Sequence, residues 1–276
     1  MFDIQQYSRE LQQREGIYFS KSDRRISYPE SGNQHCFQLE DSSFWFEHRN
    51  NCIRTCIQKY VGAQVFFDVG GGNGFVSRAL QQQGIQTVLV EPGYQGCRNA
   101  QQRGLQNIIC STLEDAAFFP NSIPAIGLFD VVEHIEADLP FLKSIHELLQ
   151  NNGHVLISVP AYQSLWSKED EDAGHFRRYT RANMEQKLCD AGFEIVYSTY
   201  IFSLLIVPVF LFRTIPSRLG IHHKAGQNTT HQKEHAKRGG LLQQSLDALW
   251  RYELNKIQQG QSLPFGGSVL VVARKK

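Results

Sequence analysis

The sequence predicts an α/β protein: a doubly wound, seven-stranded, mostly parallel sheet with an N-terminal helical extension and a helical insertion before the last strand. Two observations carry this. From Val65 onward, short apolar runs alternate with stretches of helical period, and Gly84, Gly104, Gly153 and Gly192 punctuate the changeovers. About sixty residues then separate the sixth strand from the last, far more than a hairpin needs.

The expected strands are Val65–Val69, Thr87–Glu91, Asn107–Cys110, Ala125–Phe129, His154–Val159, Phe193–Tyr200 and Ser268–Ala273. The helices between them are Phe75–Gln83, Gly96–Arg103, Asp138–Gln150 and a segment capped by Thr180 that runs to Asp190. Ahead of the first strand, residues 1 to about 40 read as polar and irregular, with a turn cluster at Tyr28–Asn33, and an aromatic-led helix runs from Phe44 toward Tyr60. The chain thus divides into an extension (1–60), a core (61–200), an insertion (201–262) and a closing strand (263–276).

Net charge is +1, from 28 basic and 27 acidic side chains, so no electrostatic footprint for nucleic acid is present. Of six cysteines, Cys52 and Cys56 are four apart on a helix, but no second metal-like pair follows and no metal is expected. No apolar leader precedes a cleavage site, which predicts a reduced, cytoplasmic protein. The longest apolar run, Ile201–Phe212, is short of the roughly twenty residues a membrane span requires.

In a doubly wound sheet, ligands sit beyond the C-terminal strand ends. Asp68–Gly74, Glu91, Glu114, Asp130–His134 and Pro160–Tyr179 all fall at or just after such ends, so they should meet on one rim. The first strand runs into Asp68-Val69-Gly70-Gly71-Gly72-Asn73-Gly74, and a second acid, Glu91, follows at the tip of the next strand. A strand-to-helix turn this tight needs positive φ, and a ligand lying on the backbone leaves no room for Cβ. The open N–H groups of the following helix can take an anionic group. Phe75 stands where a dinucleotide fingerprint would have its third glycine.

With the Asp-x-Gly-x-Gly-x-Gly spacing and Glu91, the chain resembles the class I, Rossmann-like, S-adenosylmethionine-dependent methyltransferases over about 44–200 and 262–274. Asp130-Val131-Val132-Glu133-His134 resembles the Val-Leu-Glu-His segment of the small-molecule and ubiquinone-type branch. Trp166-Ser167, Asp170-Glu171 and Gly174-His175-Phe176-Arg177-Arg178-Tyr179 are similar to a bacterial subgroup met in cell-envelope settings. The resemblance implies S-adenosylmethionine as cofactor, S-adenosylhomocysteine as product, and an antiparallel last strand after Pro264-Phe265-Gly266-Gly267. It implies that Asp68, Gly70, Gly71, Gly72, Gly74, Glu91, Leu113, Glu114 and Asp130 bind the cofactor.

Methyl transfer is an in-line displacement on an activated donor, so alignment and exclusion of water matter most, and a base is needed only for a protonated nucleophile. His134 and His175 are the candidate catalytic residues. The alternatives are that His134 anchors a loop and that His175 orients its own charged segment. Arg177, Arg178, Tyr179 and Trp166 are candidates for the acceptor, since arginine forks match phosphate or carboxylate, or they form a salt-bridged turn. Trp45 and Phe46 either close over the cofactor or pack the added helix. The insertion joins an apolar helix to a basic stretch, which suits peripheral contact with the inner membrane surface through 201–238, a lid over the substrate pocket or a dimer contact.

The expected activity is methyl transfer to an oxygen of a small or lipid-linked, saccharide-like acceptor. Two other classes fit less of the pattern: a cofactor-binding protein without catalysis, and a nicotinamide-dependent oxidoreductase. A nucleic-acid methyltransferase is disfavoured by the balanced charge and by the absence of an Asn/Asp-Pro-Pro-aromatic motif after the fourth strand.

Overall fold

The computed structural model describes residues 2–21, 37, 40, 43–62, 65–218, 220 and 241–276. The Tyr28–Asn33 turn and the stretch His222–Gly240 lie outside them. Nine strands form one sheet among the described residues: β1 (Gln12–Arg14), β2 (Ile17–Phe19), β3 (Phe66–Val69), β4 (Thr87–Glu91), β5 (Ile108–Cys110), β6 (Ile123–Phe129), β7 (Leu149–Pro160), β8 (Phe193–Ile201) and β9 (Ser268–Lys275). Their order is β1-β2-β5-β4-β3-β6-β7-β9-β8. β9 runs antiparallel between β7 and β8, as the resemblance implied, and the rest of the core is parallel.

The expectation of seven strands is corrected at the N-terminus. The segment read as irregular holds a hairpin whose second strand, β2, adds in parallel to β5, pairing Ile17 with Ile108. Glu15 (φ 50°) and Gly16 (φ 81°) form its two-residue turn, where positive φ at both positions matches the twist of the strands. β1 is exposed along its length and β2 buries only Ile17, so neither strand carries an apolar alternation that period-2 reading could detect.

A second correction falls after helix α4 (Asp138–Leu148). The helix was expected to reach Gln150, yet Leu149 already belongs to β7, paired with Ile123 before a register shift. Lys275 on β9 explains the early stop: its ammonium donates to the carbonyls of His146 and Leu149 (2.7 and 2.9 Å) and to Asn121 (2.7 Å). These are carbonyls the helix end leaves open.

Neighbouring residues of β3 face opposite layers. Phe67 and Val69 point toward the core under α4 and α6 (Arg181–Asp190), with Leu142, Ile145, Met184 and Leu188. Phe66 points toward the core under α1 (Phe44–Cys56), α2 (Phe75–Gln81) and α7 (Leu241–Gln258), with Ile53, Val76, Leu80 and Ile257. A third helix of the core, α3 (Tyr94–Gln102), packs Cys97 and Ala100 against Leu89 and Ile108.

The insertion is helical at both described ends. Ser203–Arg218 is a run of short helical turns around Pro208, which removes a backbone donor and is followed by a π-helical turn, Phe210–Thr214. Val207 and Phe212 on this run are 62% and 72% exposed. No described helix is long and apolar enough to cross a membrane.

α7 is tied to the core by a buried carboxylate. Glu253 accepts from His48 Nε2 (2.9 Å), from the amides of Phe202 (3.0 Å) and Ser203 (2.7 Å), and from the Ser203 hydroxyl. These partners hold its carboxyl below the ordinary range, although burial opposes it. The Trp45 ring stacks on Phe202 and the His48 ring lies 4.3 Å from Trp250, completing the junction. Glu253→Ala strips the acceptor from four donors, two of them on the buried residues His48 and Phe202, so we expect a loss of about 3 kcal/mol in urea unfolding, with Glu185→Ala, a half-exposed site, losing far less.

Candidate functional site

A cavity of about 400 Å³ opens beyond the C-terminal ends of β3, β4 and β6. Its floor is the β3–α2 turn. The Gly70 amide donates to the Val90 carbonyl (2.7 Å), which ties the turn to β4. Gly70 and Gly72 have φ of 68° and 54°. A Cβ on Gly71 would meet Leu89 Cδ1 at 2.4 Å and Asp68 Oδ2 at 2.6 Å, and one on Gly70 would meet Val131 Cγ2 at 2.7 Å. Asp68 is wholly buried; Ser77 Oγ donates to its Oδ2 (2.8 Å), while Oδ1 has no partner. Burial raises its carboxyl to about 6, against the hydrogen bond from Ser77 and the charge of Arg49.

Glu91 ends β4 and closes the floor. Its carboxylate accepts from the amides of Gly72 (2.9 Å) and Gly93 (2.7 Å). Burial raises its carboxyl to about 7, with those two amides pulling the other way. Each oxygen keeps a second lone pair for a ligand hydroxyl.

Gly74 serves packing. It stands in left-handed conformation at the N-terminus of α2, and a Cβ there would meet Leu105 and Ala100 at 2.4 and 2.9 Å. Leu113 is buried and Glu114 exposed, and neither lines the cavity, which at this end reaches Pro92 and Gly93.

The opposite wall comes from the segment after β6 and from α1. Asp130, in left-handed conformation (φ 59°), accepts from Ser158 Oγ (3.1 Å) and pairs with Arg49. The Arg49 guanidinium lies over the Trp45 and Phe46 rings, 5.1 and 5.6 Å from their centroids. Trp45 and Phe46 therefore support Arg49 and do not line the cavity themselves. Arg49, Glu40 and Asn73 do line it, and sequence reasoning missed all three as site residues. Asn73 lies inside the glycine loop and was the legible one; Arg49 and Glu40 belong to the extension, which no strand end places on the rim.

His134 and His175 close the mouth. Their rings meet edge to face at 4.7 Å, although 41 residues separate them in sequence. Burial, with His175 second, pushes His134 down to about 4, so its ring is neutral near pH 7. His175 Nδ1 lies 2.8 Å from Asp170 Oδ1, which places a proton on Nδ1 and fixes the ring.

Asp170, 1% exposed, organises this corner. It caps α5 (Lys168–Ala173) by accepting from the Ser167 amide (2.9 Å), and it takes the Arg178 fork through Nε (2.8 Å) and Nη2 (2.9 Å). Burial alone would raise its carboxyl, but the hydrogen bonds from His175 and Arg178 and the Arg178 charge hold it at about 2. Arg177 pairs with Asp138 (2.9 Å) and donates to the carbonyls of Ile135 and Glu136. Tyr179, 1% exposed, donates to Asp138 (2.9 Å). Arg177, Arg178, Tyr179 and Trp166 thus stand behind the cavity and do not line it, because acids of the same chain already occupy the three polar side chains.

The loop admits a ligand backbone-close, Glu91 offers acceptors for vicinal hydroxyls, and Asp68 Oδ1 is a buried acceptor without a donor. This donor and acceptor set fits an amino-acid-bearing nucleoside. Together with the sheet order, it defines the class I methyltransferases that use S-adenosylmethionine. Residues 62–198 match the family described as methyltransferase domain, so the chain carries a domain of that family. No curated protein sequence matches it.

Among solved structures, the chain is similar to phosphoethanolamine N-methyltransferase 2 of Haemonchus contortus in complex with phosphomonomethylethanolamine and S-adenosylhomocysteine, at 16% identity and a TM-score of 0.58, covering 91% of this chain and 59% of that one. It therefore spans about three fifths of that enzyme's length. It is similar to the plantazolicin methyltransferase BamL in complex with a triazolic desmethylPZN analog and S-adenosylhomocysteine, at 14% identity and a TM-score of 0.56, covering 90% and 92% of the two chains. An S-adenosylmethionine-dependent methyltransferase from Archaeoglobus fulgidus shares 15% identity at a TM-score of 0.52, with 83% and 94% covered.

Two outcomes are expected from this geometry. Asp170 has its pKa lowered from 3.8 to about 2 in the folded chain, so it contributes stability above pH 4 that is lost as pH falls toward 2. Asp170→Asn should therefore be less stable at pH 7, on the order of 2 kcal/mol in urea unfolding, with the gap narrowing below pH 4. Gly71→Ala should weaken S-adenosylhomocysteine binding at least tenfold by calorimetry, since either Leu89 or Asp68 must move.

Proposed function

We propose that this chain is an S-adenosylmethionine-dependent methyltransferase that transfers the methyl group to an oxygen of a small or lipid-linked, saccharide-like acceptor. The observation that carries the cofactor half is the Glu91 carboxylate clamped by the Gly72 and Gly93 amides beside a loop closed to Cβ. Glu91 would take the ribose hydroxyls, and Asp68 Oδ1 and the Gly70–Gly72 backbone the amino-acid end. The cofactor supplies a sulfonium-activated methyl group, so no further activation of the donor is asked of the protein.

The acceptor side of the reading rests on the histidine pair. Burial keeps His134 neutral, and Asp170 orients the His175 ring through Nδ1, so two imidazoles stand at the cavity where a hydroxyl would lose its proton. Arg178 holds Asp170 ionised and in place. Arg177 and Tyr179 act at one remove, by fixing Asp138 against the Val132–His134 turn. Two of the similar structures hold a small organic molecule beside S-adenosylhomocysteine, phosphomonomethylethanolamine in one and a triazolic desmethylPZN analog in the other, which supports a small acceptor. The apolar edge of Ser203–Arg218, with Val207 and Phe212 outward, favours a cytoplasmic protein working at an anionic membrane surface.

Titration with S-adenosylhomocysteine tests the reading first. Micromolar binding, no binding of NAD, and at least tenfold weakening in Glu91→Ala are expected. Equal affinity of Glu91→Ala and the parent would overturn the assignment. Co-sedimentation with anionic vesicles at low salt tests the surface, and full recovery in the supernatant would remove the lipid-linked acceptor.

A further inference from the structure

Glu133 is 1% exposed, and neither of its carboxylate oxygens has a hydrogen-bond partner. The two guanidinium groups whose charge acts on it are engaged elsewhere: Arg49 pairs with Asp130, and Arg178 is bound to Asp170 through two nitrogens. A buried carboxylate with two open acceptors is costly, and native structures seldom keep one without a cation or a donor against it. Asp130 adds to the local negative charge.

The next residue and one from the α5–α6 connection bring the complement. One donor atom each from Glu133, His134 and His175 lie within 4.8 Å of one another. In each ring one nitrogen is held by an oxygen acceptor: His175 Nδ1 by the Asp170 carboxylate, and one His134 nitrogen by the Gly174 backbone. That is the outer arrangement of metal-binding histidines, where a carboxylate or carbonyl fixes the tautomer and turns the lone pair toward the ion. The backbone is fixed as well. The Phe176 amide donates to the Glu133 carbonyl (2.8 Å), which locks the His175 loop onto the Val132–His134 turn.

We propose that Glu133, His134 and His175 form a binding site for one divalent transition-metal ion at the acceptor end of the cavity, contrary to the metal-free expectation from the sequence. Two imidazoles and one carboxylate select a zinc-, iron- or manganese-type ion over magnesium or calcium, which prefer oxygen alone. Ligand bonds of about 2.0–2.2 Å place neighbouring donors about 3 Å apart, so side-chain rotations of order 1 Å close the set. Three protein ligands leave coordination positions open toward the cavity, where an acceptor with adjacent oxygens would seat. The inference rests on these three residues and not on methyl transfer; with an ion bound, both imidazoles serve the ion, which would itself lower the pKa of an acceptor hydroxyl in place of the histidines.

Chelator-treated full-length protein is titrated with Co²⁺, with visible ligand-field absorption and metal analysis after desalting as readouts. One equivalent per chain, displaced by Zn²⁺, is expected. Glu133→Gln and His175→Gln should each weaken Co²⁺ binding at least tenfold, while Cys189→Ser, an exposed thiol, leaves it unchanged. Thermal unfolding of each variant verifies that it folds, and His175→Gln carries the test if Glu133→Gln does not. No stoichiometric uptake by the parent, or equal affinity in His175→Gln, overturns the site. S-adenosylhomocysteine titration on the same metal-free sample separates the two readings: binding there with no Co²⁺ uptake removes the metal and leaves the cofactor assignment standing.

Discussion

The contact between two neighbouring strand ends sets the rest of this site. Gly70 donates to the Val90 carbonyl, and Glu91 takes the Gly72 amide into its carboxylate. These bonds fold the glycine loop flat against β4, and the ordinary parallel register of β3 with β4 places them. Once they form, Gly71 has no space for a Cβ, Asp68 is buried against the loop at the cavity wall, and the cavity has a floor. The cost is two buried acids with raised proton affinity, Asp68 and Glu91, held ready for donors from a ligand.

A second organising element is Asp170. One carboxylate caps α5, binds the Arg178 fork and sets the tautomer of His175. The charged segment that reads in sequence as an anion pocket is therefore mostly internal scaffolding. Its arginines answer acids of the same chain, and what reaches the cavity from it is His175 together with Ala173. Here a dense row of charges and aromatics builds a rigid loop, because buried charges need partners close by.

The extension and the insertion meet across α1 and α7, through the His48–Glu253 pair and the stacked rings of Trp45 and Phe202. This junction lies behind the wall that carries Arg49. Segments that look like appendages to a catalytic core thus share one buried network with it, and Arg49 joins that network to Asp130 on the rim.

The sequence by itself determined the strand–helix alternation, the glycine loop with its two acids, the Thr180 cap and the positions of both histidines on one rim. These are local signals: period, turn chemistry and spacing from a strand end. The β1–β2 hairpin was not legible, because its pairing partner β5 lies about ninety residues away and supplies the hydrogen bonds and burial that its own three-residue strands lack. Nor did sequence tell which polar groups of Arg177, Arg178, Tyr179 and Glu133 would find partners. Hydrogen-bond satisfaction depends on side chains brought together from several elements, so only the tertiary structure decided that the arginines are bound internally and that Glu133 is left facing the two imidazoles.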